Sequence, residues 1–298
     1  MKEVSSVSAS ENRNEKNKVV GGMLYLVATP IGNMADITER AVKVLCEADF
    51  VAAEDTRNTG RLLSVIGSDR PMVSYYEHNK KVRGEVIAER LANGESCALV
   101  TDAGMPAVSD PGADLVSLCI ERGIPVTCVP GACAAVDALA LSGMNTERFA
   151  FEGFLSANKG ERRSRLEEVR YDPRTLIFYE APHKLKTTLA DMLELFGDRR
   201  IALCRELTKI NEEILRLSLS SACEFYENNA PRGEYVLVLE GSSQKAPQTA
   251  QWWSDLSEVE HVERHVASGM TKSDAIRRAA EERGISKNKL YKLVLGKD

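Results

Sequence analysis

The sequence predicts two α/β domains in tandem, the first on a parallel sheet and the second on a mixed one, followed by a small helical module. Three observations predict this. From Met23 to about Gly143, short apolar runs alternate with amphipathic helical patterns, as parallel strands joined by crossover helices require. A second set of apolar runs begins near Phe149, and Arg216–Leu219 in it leaves no room for a full crossover helix before it, so that sheet is mixed. Beyond a stretch of linker composition at 241–250 (GSSQKAPQTA), only helical periodicity remains.

Taken in order, residues 1–22 are polar, lack the apolar core of a signal peptide and read as a disordered tail. The first domain spans 23–145. Met23–Thr29 is a continuous apolar run, as expected of a strand buried on both faces. Asp36 with Glu39 resembles a capping box, and Ile37, Ala41, Val44, Leu45 and Ala48 recur behind it at helical spacing. Phe50–Ala53, Met72–Tyr75, Cys97–Thr101 and Val126–Val129 read as four further strands. Gly94 and Gly123 fall where two preceding helices end, a position that favours glycine. The second domain spans 146–241, with strands at Ala150–Phe154, Thr175–Tyr179, Ile201–Cys204, Glu213–Leu219 and Glu234–Leu239. In the module at 250–298, Gln251–Val266, Lys272–Arg283 and Ser286–Leu295 are the expected helices.

The chain of 298 residues is long enough for two domains of roughly 100–200 residues each. Its 43% hydrophobic and 28% charged content is that of a soluble protein, and no apolar run approaches the ~20 residues that span a bilayer. A cytoplasmic location with no membrane partner is expected. The seven cysteines are odd in number and scattered, without the paired spacing of a zinc site, so reduced thiols and no metal are expected. A net charge of −5 argues against nucleic-acid binding through bulk charge. Local basic patches remain: nine Lys/Arg against five Asp/Glu from His261 to Asp298, and six against four from Lys159 to Arg174.

Ligands of open α/β sheets bind outside the carboxyl ends of the strands, and three loops of the first domain fall there. Thr29-Pro30-Ile31-Gly32-Asn33 lacks the dinucleotide fingerprint and reads as a plain turn. Thr101–Gly112 (TDAGMPAVSDPG) is long for a connection that usually takes roughly 2–6 residues, and its Gly and Pro suit main-chain contact with a small molecule. The same residues suit a cap, with Asp110 as N-cap ahead of Pro111. Val129–Ala135 starts a helix with small residues, which leaves room for a ligand or for close packing. Glu54-Asp55-Thr56-Arg57, Glu180-Ala181-Pro182-His183-Lys184 and Arg205–Lys209 are polar clusters at further strand ends.

In this order the segments resemble the ribosomal RNA small subunit methyltransferase I family, the 2′-O-methyltransferase branch of the tetrapyrrole methylase superfamily. The matching stretches are LYLVATPIGNMADITERA, AAEDTR, TDAGMPAVSDPG, VPGACAAVDALALSG, FEGFL, YEAPHK, RELTK and GEYVLVLEG, from Leu24 to Gly241. The resemblance implies S-adenosylmethionine in a cleft between the two α/β domains, a homodimer, and 2′-O-methylation of a cytidine ribose in the decoding region of small-subunit (16S) ribosomal RNA. It implies that Pro30, Ala103, Gly104, Met105, Val108, Cys133 and Ala134 line the cofactor, with Glu180 facing it from the second domain. The glycine-rich first loop and Gly-Asp-Pro triplet of tetrapyrrole-modifying members are replaced here by TPIGN and Ala103-Gly104-Met105.

A ribose hydroxyl needs a base to lose its proton. Asp55, Asp102, His78, Glu180 and His183 are the candidates, with the two strand-end aspartates ranked first. Arg57 is placed to hold a phosphate or to pair with Glu54, and Tyr75 and Tyr76 to stack a base or to pack. Arg277, Arg278, Lys287, Lys289 and Lys292, on two short helices broken at Gly284-Ile285-Ser286, would supply phosphate contacts in a helix-turn-helix arrangement. Two other readings stay open: a tetrapyrrole or other small-molecule methyltransferase, and a non-catalytic RNA-binding ribosome assembly factor.

Overall fold

A computed structural model of the chain describes residues 18–245, 253 and 255–295. The expected tail up to residue 17 and the linker residues 246–250 lie outside these. Residues up to Ser243 form one compact unit that holds both sheets, and Gln244 onward forms another. Within the first unit, the last tail residues already pack: Gly22 N donates to Glu95 O at 2.9 Å, and Val20 N to the Tyr25 hydroxyl at 2.7 Å.

The first sheet contains β1 (Leu24–Val27), β2 (Phe50–Ala53), β3 (Met72–Ser74), β4 (Cys97–Val100) and β5 (Val126–Val129), all parallel, in the order β3-β2-β4-β1-β5. β2 and β4 are buried at every position, so alternate residues feed two cores: Phe50, Ala52 and Leu99 on one face, Val51, Ala53 and Val100 on the other. The helices that cover it are α1 (Glu39–Glu47), α2 (Thr56–Ile66), α3 (Lys80–Ala92) and α4 (Ala113–Glu121); α5 (Ala134–Ser142) follows β5. From β1 the chain runs to β2 on one side, and from the adjacent β4 it runs to β5 on the other. Their diverging connections open a crevice at the carboxyl ends of these two strands, the place where such sheets hold ligands.

Two helix starts differ from the sequence reading. Asp36 lies in a 3₁₀ turn, Met34–Asp36, and α1 is capped by Thr38, whose hydroxyl accepts from Ala41 N at 3.1 Å. Thr38 sits directly ahead of the first helical turn, whereas Asp36 is two residues too early to reach its free N–H groups. Similarly, α4 begins after Gly112, whose φ of 145° is open to glycine and strained for other residues. Asp110 is therefore not the cap of that helix.

The second sheet contains β6 (Phe149–Phe154), β7 (Thr175–Glu180), β8 (Arg200–Arg205), β9 (Glu213–Ser218) and β10 (Tyr235–Leu239), in the order β6-β7-β10-β8-β9. Only β6 and β7 pair in parallel, and β8–β9 is an antiparallel hairpin. The expected mixed sheet is what forms. Its outer face is covered by α6 (Lys159–Val169), α7 (Pro182–Phe196) and α8 (Leu219–Asn228) around Phe178, Leu189 and Leu237. Its other face packs on α5: Ala135, Ala138 and Leu139 meet Ile177, Ala202, Val236 and Val238. The helix of small residues thus ties the chain after β5 to the face of the second sheet, together with Ile31 of the loop after β1.

In the C-terminal unit, α9 (Glu258–Ala267), α10 (Lys272–Arg283) and α11 (Lys287–Leu295) surround Val262, Ile276, Ala279 and Leu290. A capping box between Ser257 and Glu260 starts α9 later than the expected residue 251. Gly284, at φ 62°, ends α10 and makes the turn into α11.

Candidate active site

A cavity of about 470 Å³ opens between the sheets, within the roughly 300–1,000 Å³ typical of small-ligand sites. The long loop after β4 forms one wall. It is pinned to the end of β1 by a pair of bonds, Thr29 N to Gly104 O at 2.9 Å and Gly104 N to Thr29 O at 3.0 Å, and by the Thr29 hydroxyl on Thr101 O at 3.2 Å. Gly104 sits at φ 81°, and a Cβ there would lie 3.3 Å from Ile31 Cγ2, so glycine leaves space that any side chain would take. The second sheet supplies Phe154, Tyr179, Glu180 and the segment Glu206–Lys209.

Among the described residues, four non-glycine residues have positive φ: Ala107 (66°), Ser109 (66°), Glu206 (49°) and Thr208 (66°). All four lie in these two wall loops. Such conformations cost of order 1–3 kcal/mol each and persist where the surroundings over-determine them, commonly at functional sites.

Six carboxylates line the cavity: Glu54, Asp102, Asp110, Glu180, Glu206 and Glu234. Lys184 lies 3.0 Å from Glu180, which also accepts from Ala181 N and the Thr188 hydroxyl. Lys209 bridges Glu206 and Glu234, at 2.9 Å from each. The other three carry no ion pair among the described residues. Glu54 accepts from the Thr101 hydroxyl at 2.7 Å, and Asp102 from Asn58 at 3.0 Å. Burial, reinforced by the charge of Glu54, pushes the Asp110 carboxyl up to about 6.

Of the expected cofactor residues, Ala103, Gly104, Met105, Val108, Cys133, Ala134 and Glu180 line this cavity, whereas Pro30 is represented by its neighbour Ile31. Asp102 also lines it; Asp55 and His78 do not. Asp55 caps α2 and holds Arg57, with Arg57 Nη2 on Oδ2 at 2.8 Å; these bonds hold the Asp55 carboxyl down at about 2. Arg57 therefore pairs with Asp55 rather than Glu54. His78 is exposed beyond the edge strand β3, edge-on to Tyr76 at 6.3 Å, while Tyr75 is buried. In the C-terminal unit Arg277 pairs with Asp274 and Arg278 with Glu282, while Lys287, Lys289 and Lys292 are exposed on α11. His261, His265 and Glu282 bring ligand-type atoms within 4.8 Å of one another. There, Arg283 Nε donates to His261 Nδ1 at 3.0 Å, which assigns the proton of that ring to Nε2, facing Glu282 at 2.8 Å. The cluster is a hydrogen-bonded network in that arrangement.

Sequence reasoning favoured a binding role for the Thr101–Gly112 loop, with a cap at Asp110 as the alternative, and gave Phe154 and Tyr179 no part in the site. Their motifs stood in the sequence, but only tertiary packing brings them to the same cavity.

Two sheets of this topology with a cavity between them define a class. Residues 23–223 match the model of Tetrapyrrole (Corrin/Porphyrin) Methylases. The uroporphyrin-III-C-methyltransferase of Thermus thermophilus superposes with a TM-score of 0.53 at 22% identity, covering 74% of this chain and 94% of that one. Diphthine synthase gives 0.56 at 13%, covering 74% and 89%. At such identities the likeness concerns the fold. Sequence relatives are nearer: "Ribosomal RNA small subunit methyltransferase I" of Halalkalibacterium halodurans is 48% identical over 91% of this chain and 94% of its own length. Its Bacillus subtilis counterpart is 46% identical over 91% and 93%. The chain belongs to the tetrapyrrole methylases and, within them, to the ribosomal RNA small subunit methyltransferase I family. No helix of the described residues is long and apolar enough to cross a membrane.

Proposed function

We propose that this protein transfers the methyl group of S-adenosylmethionine to the 2′-hydroxyl of a cytidine in small-subunit (16S) ribosomal RNA. The observation that carries the reading is the cavity itself. It has apolar and glycine walls for an adenosine-sized ligand, and three carboxylates without an ion pair among the described residues to face a cationic one. The residues present fit the cofactor, which is a sulfonium with an additional ammonium group. Ile31, Gly104, Met105, Val108 and Ala134 would hold its apolar parts and Glu54 and Asp102 its positive charge. When bound, it supplies a methyl group already activated for transfer. What remains for the chain is to orient the acceptor in line and to take its proton. The names of the relatives, at up to 48% identity, support RNA over a tetrapyrrole as the acceptor. So does the departure of the first loop and of Ala103-Gly104-Met105 from the glycine-rich motifs of tetrapyrrole-modifying members.

The test is incubation with methyl-labelled S-adenosylmethionine and small ribosomal subunits lacking their own methylations, followed by mapping of the label. Label on a cytidine ribose is expected. Unlabelled RNA with tight cofactor binding would send the search to small-molecule acceptors and end the RNA reading.

A further inference from the structure

We propose that Asp110 is the residue that takes the proton of the acceptor hydroxyl. The proposal rests on the methyl-transfer reading above. The placement of Asp110 carries it. Asp110 lines the cavity, and the structure frees it of the capping role that its sequence position suggests, because α4 starts beyond Gly112. The residue before it, Ser109, has φ 66°, so the loop bends at a conformational cost just where it presents this carboxyl. The same bend brings the loop against the second sheet. A Cβ on Gly153 would stand 3.2 Å from Ser109 Oγ, and Phe154 follows directly. The Phe154 ring is 59% exposed and packs at 5.4 Å on Tyr179, with both side chains lining the same cavity. An exposed aromatic ring lining a cavity offers a face on which an unstacked base can stack. Ser109 precedes Asp110 directly, so a nucleoside stacked there would lie beside the loop that carries this carboxyl.

Of the other candidates, Asp102 lines the cavity and accepts from Asn58 at 3.0 Å, and the exposed His183 does not line it. Asp55 is held by Arg57 outside the cavity, Glu180 accepts three donors, and His78 is beyond the sheet edge. The charged and titratable groups that face Asp110 are Glu54 after β2, Asp102 after β4 and Tyr179 on β7, with the Thr101 hydroxyl bonded to Glu54 and beside Asp110. Two acidic neighbours and partial burial favour the protonated form, so the carboxylate is a stronger base than an exposed aspartate and is poised near neutral pH. In the step, the acceptor O–H bond breaks and its proton passes to the Asp110 carboxylate. The oxygen bonds to the methyl carbon as the carbon–sulfur bond breaks, with its electron pair left on sulfur. Asp110 then releases the proton to solvent.

The test combines the labelling assay with a carboxyl NMR titration of the full chain. The wild type is expected to show a rate that rises with pH through an apparent pKa of about 6 and then levels, with Asp110 titrating at the same pH. Asp110→Asn is expected to lose roughly 10²–10⁴-fold in kcat and this pH dependence, while binding S-adenosylhomocysteine, the neutral product, within a few-fold of the wild type by calorimetry. Glu54→Gln is expected to move both the NMR titration and the acid limb to lower pH, a readout that a purely structural role for Asp110 would not shift. Labelled RNA from Asp110→Asn at near wild-type rate, or an Asp110 titration at the usual carboxylate pH, overturns the proposal alone. RNA left unlabelled by the wild type ends the functional reading and the proposal with it.

Discussion

Asp191 shows how a single residue can be worth more to this fold than any surface pair. It is buried on α7, and its Oδ2 accepts from Arg162 Nε at 2.7 Å while Oδ1 accepts from Arg163 at 3.0 Å. Arg162, equally buried, also donates to Ser156 O and Ala157 O, so the loop ahead of α6 is tied into the same network. Removing one partner of a buried pair strands the other charge, at about 3–5 kcal/mol. Asp191→Ala is expected to lower the unfolding free energy by that amount, measured by urea denaturation, whereas Glu167→Ala, at an exposed i,i+3 pair with Arg170, changes it by less than about 1 kcal/mol. The same residues explain why Lys159–Arg174 looks basic in the sequence and is not a free basic surface in the fold. Arg163, Arg165, Arg170 and Arg174 are each paired with an acid, two of which come from α7 or β6. Local composition reports the arginines, but the partners arrive through tertiary packing.

At the scale of elements, α9 and α10 are joined by a polar network in place of a wider apolar seam. Glu282 on α10 accepts from His261 and His265, one turn apart on α9, at 2.8 and 3.0 Å, and from Arg278 at 2.6 Å. Trp253 stacks on His261 at 5.1 Å. Burial holds the His261 ring below its ordinary value of 6.5. Burial alone would raise the Glu282 carboxyl, but the hydrogen bonds from His265, Arg278 and His261 outweigh it and hold the group below 4.5. Both groups bind fewer protons folded than unfolded near their titration range. Their contribution is therefore fully present above about pH 6.5 and is lost as pH falls through the depressed folded values. The C-terminal unit is expected to loosen on acidification below about pH 6 while the sheets of the first unit keep their protection. Hydrogen exchange followed by mass spectrometry at pH 7 and pH 5, corrected for the intrinsic rate, checks it. Equal loss of protection in α10 and β4 would contradict it. The helices themselves were readable: α10 falls at the expected Lys272–Arg283, between the Thr271 cap and the turn at Gly284. The His–Glu network was not, because its members are brought together only when α9 and α10 pack.

For the whole molecule, the alternation of strands and helices sufficed to read both sheets, since strands buried on two faces announce themselves by continuous apolar runs. The cavity was legible as three separate loops and became a site only through tertiary packing. How the chain would grip RNA under the proposed function is a question of charge distribution across the molecule. With a net charge of −5, attraction to phosphate must be local. Arg277 and Arg278 are half neutralised by Asp274 and Glu282, but Lys287, Lys289 and Lys292 stand exposed along α11 with no ion pair among the described residues. If α11 binds phosphate, replacing these three lysines by glutamine removes counterion release without touching the cavity. The expected result is weaker RNA binding at low salt and a log–log salt dependence shallower by about 0.7–0.9 for each phosphate no longer neutralised, so roughly 2–3 for all three. Affinity for the cofactor should not move, because the three lysines belong to the unit that starts at Gln244 and the cavity residues to the other. Filter binding to a small-subunit RNA fragment across a salt series, with calorimetry of the cofactor in parallel, measures both. An unchanged salt slope would show that α11 is a solvated helix and that another surface neutralises the phosphates.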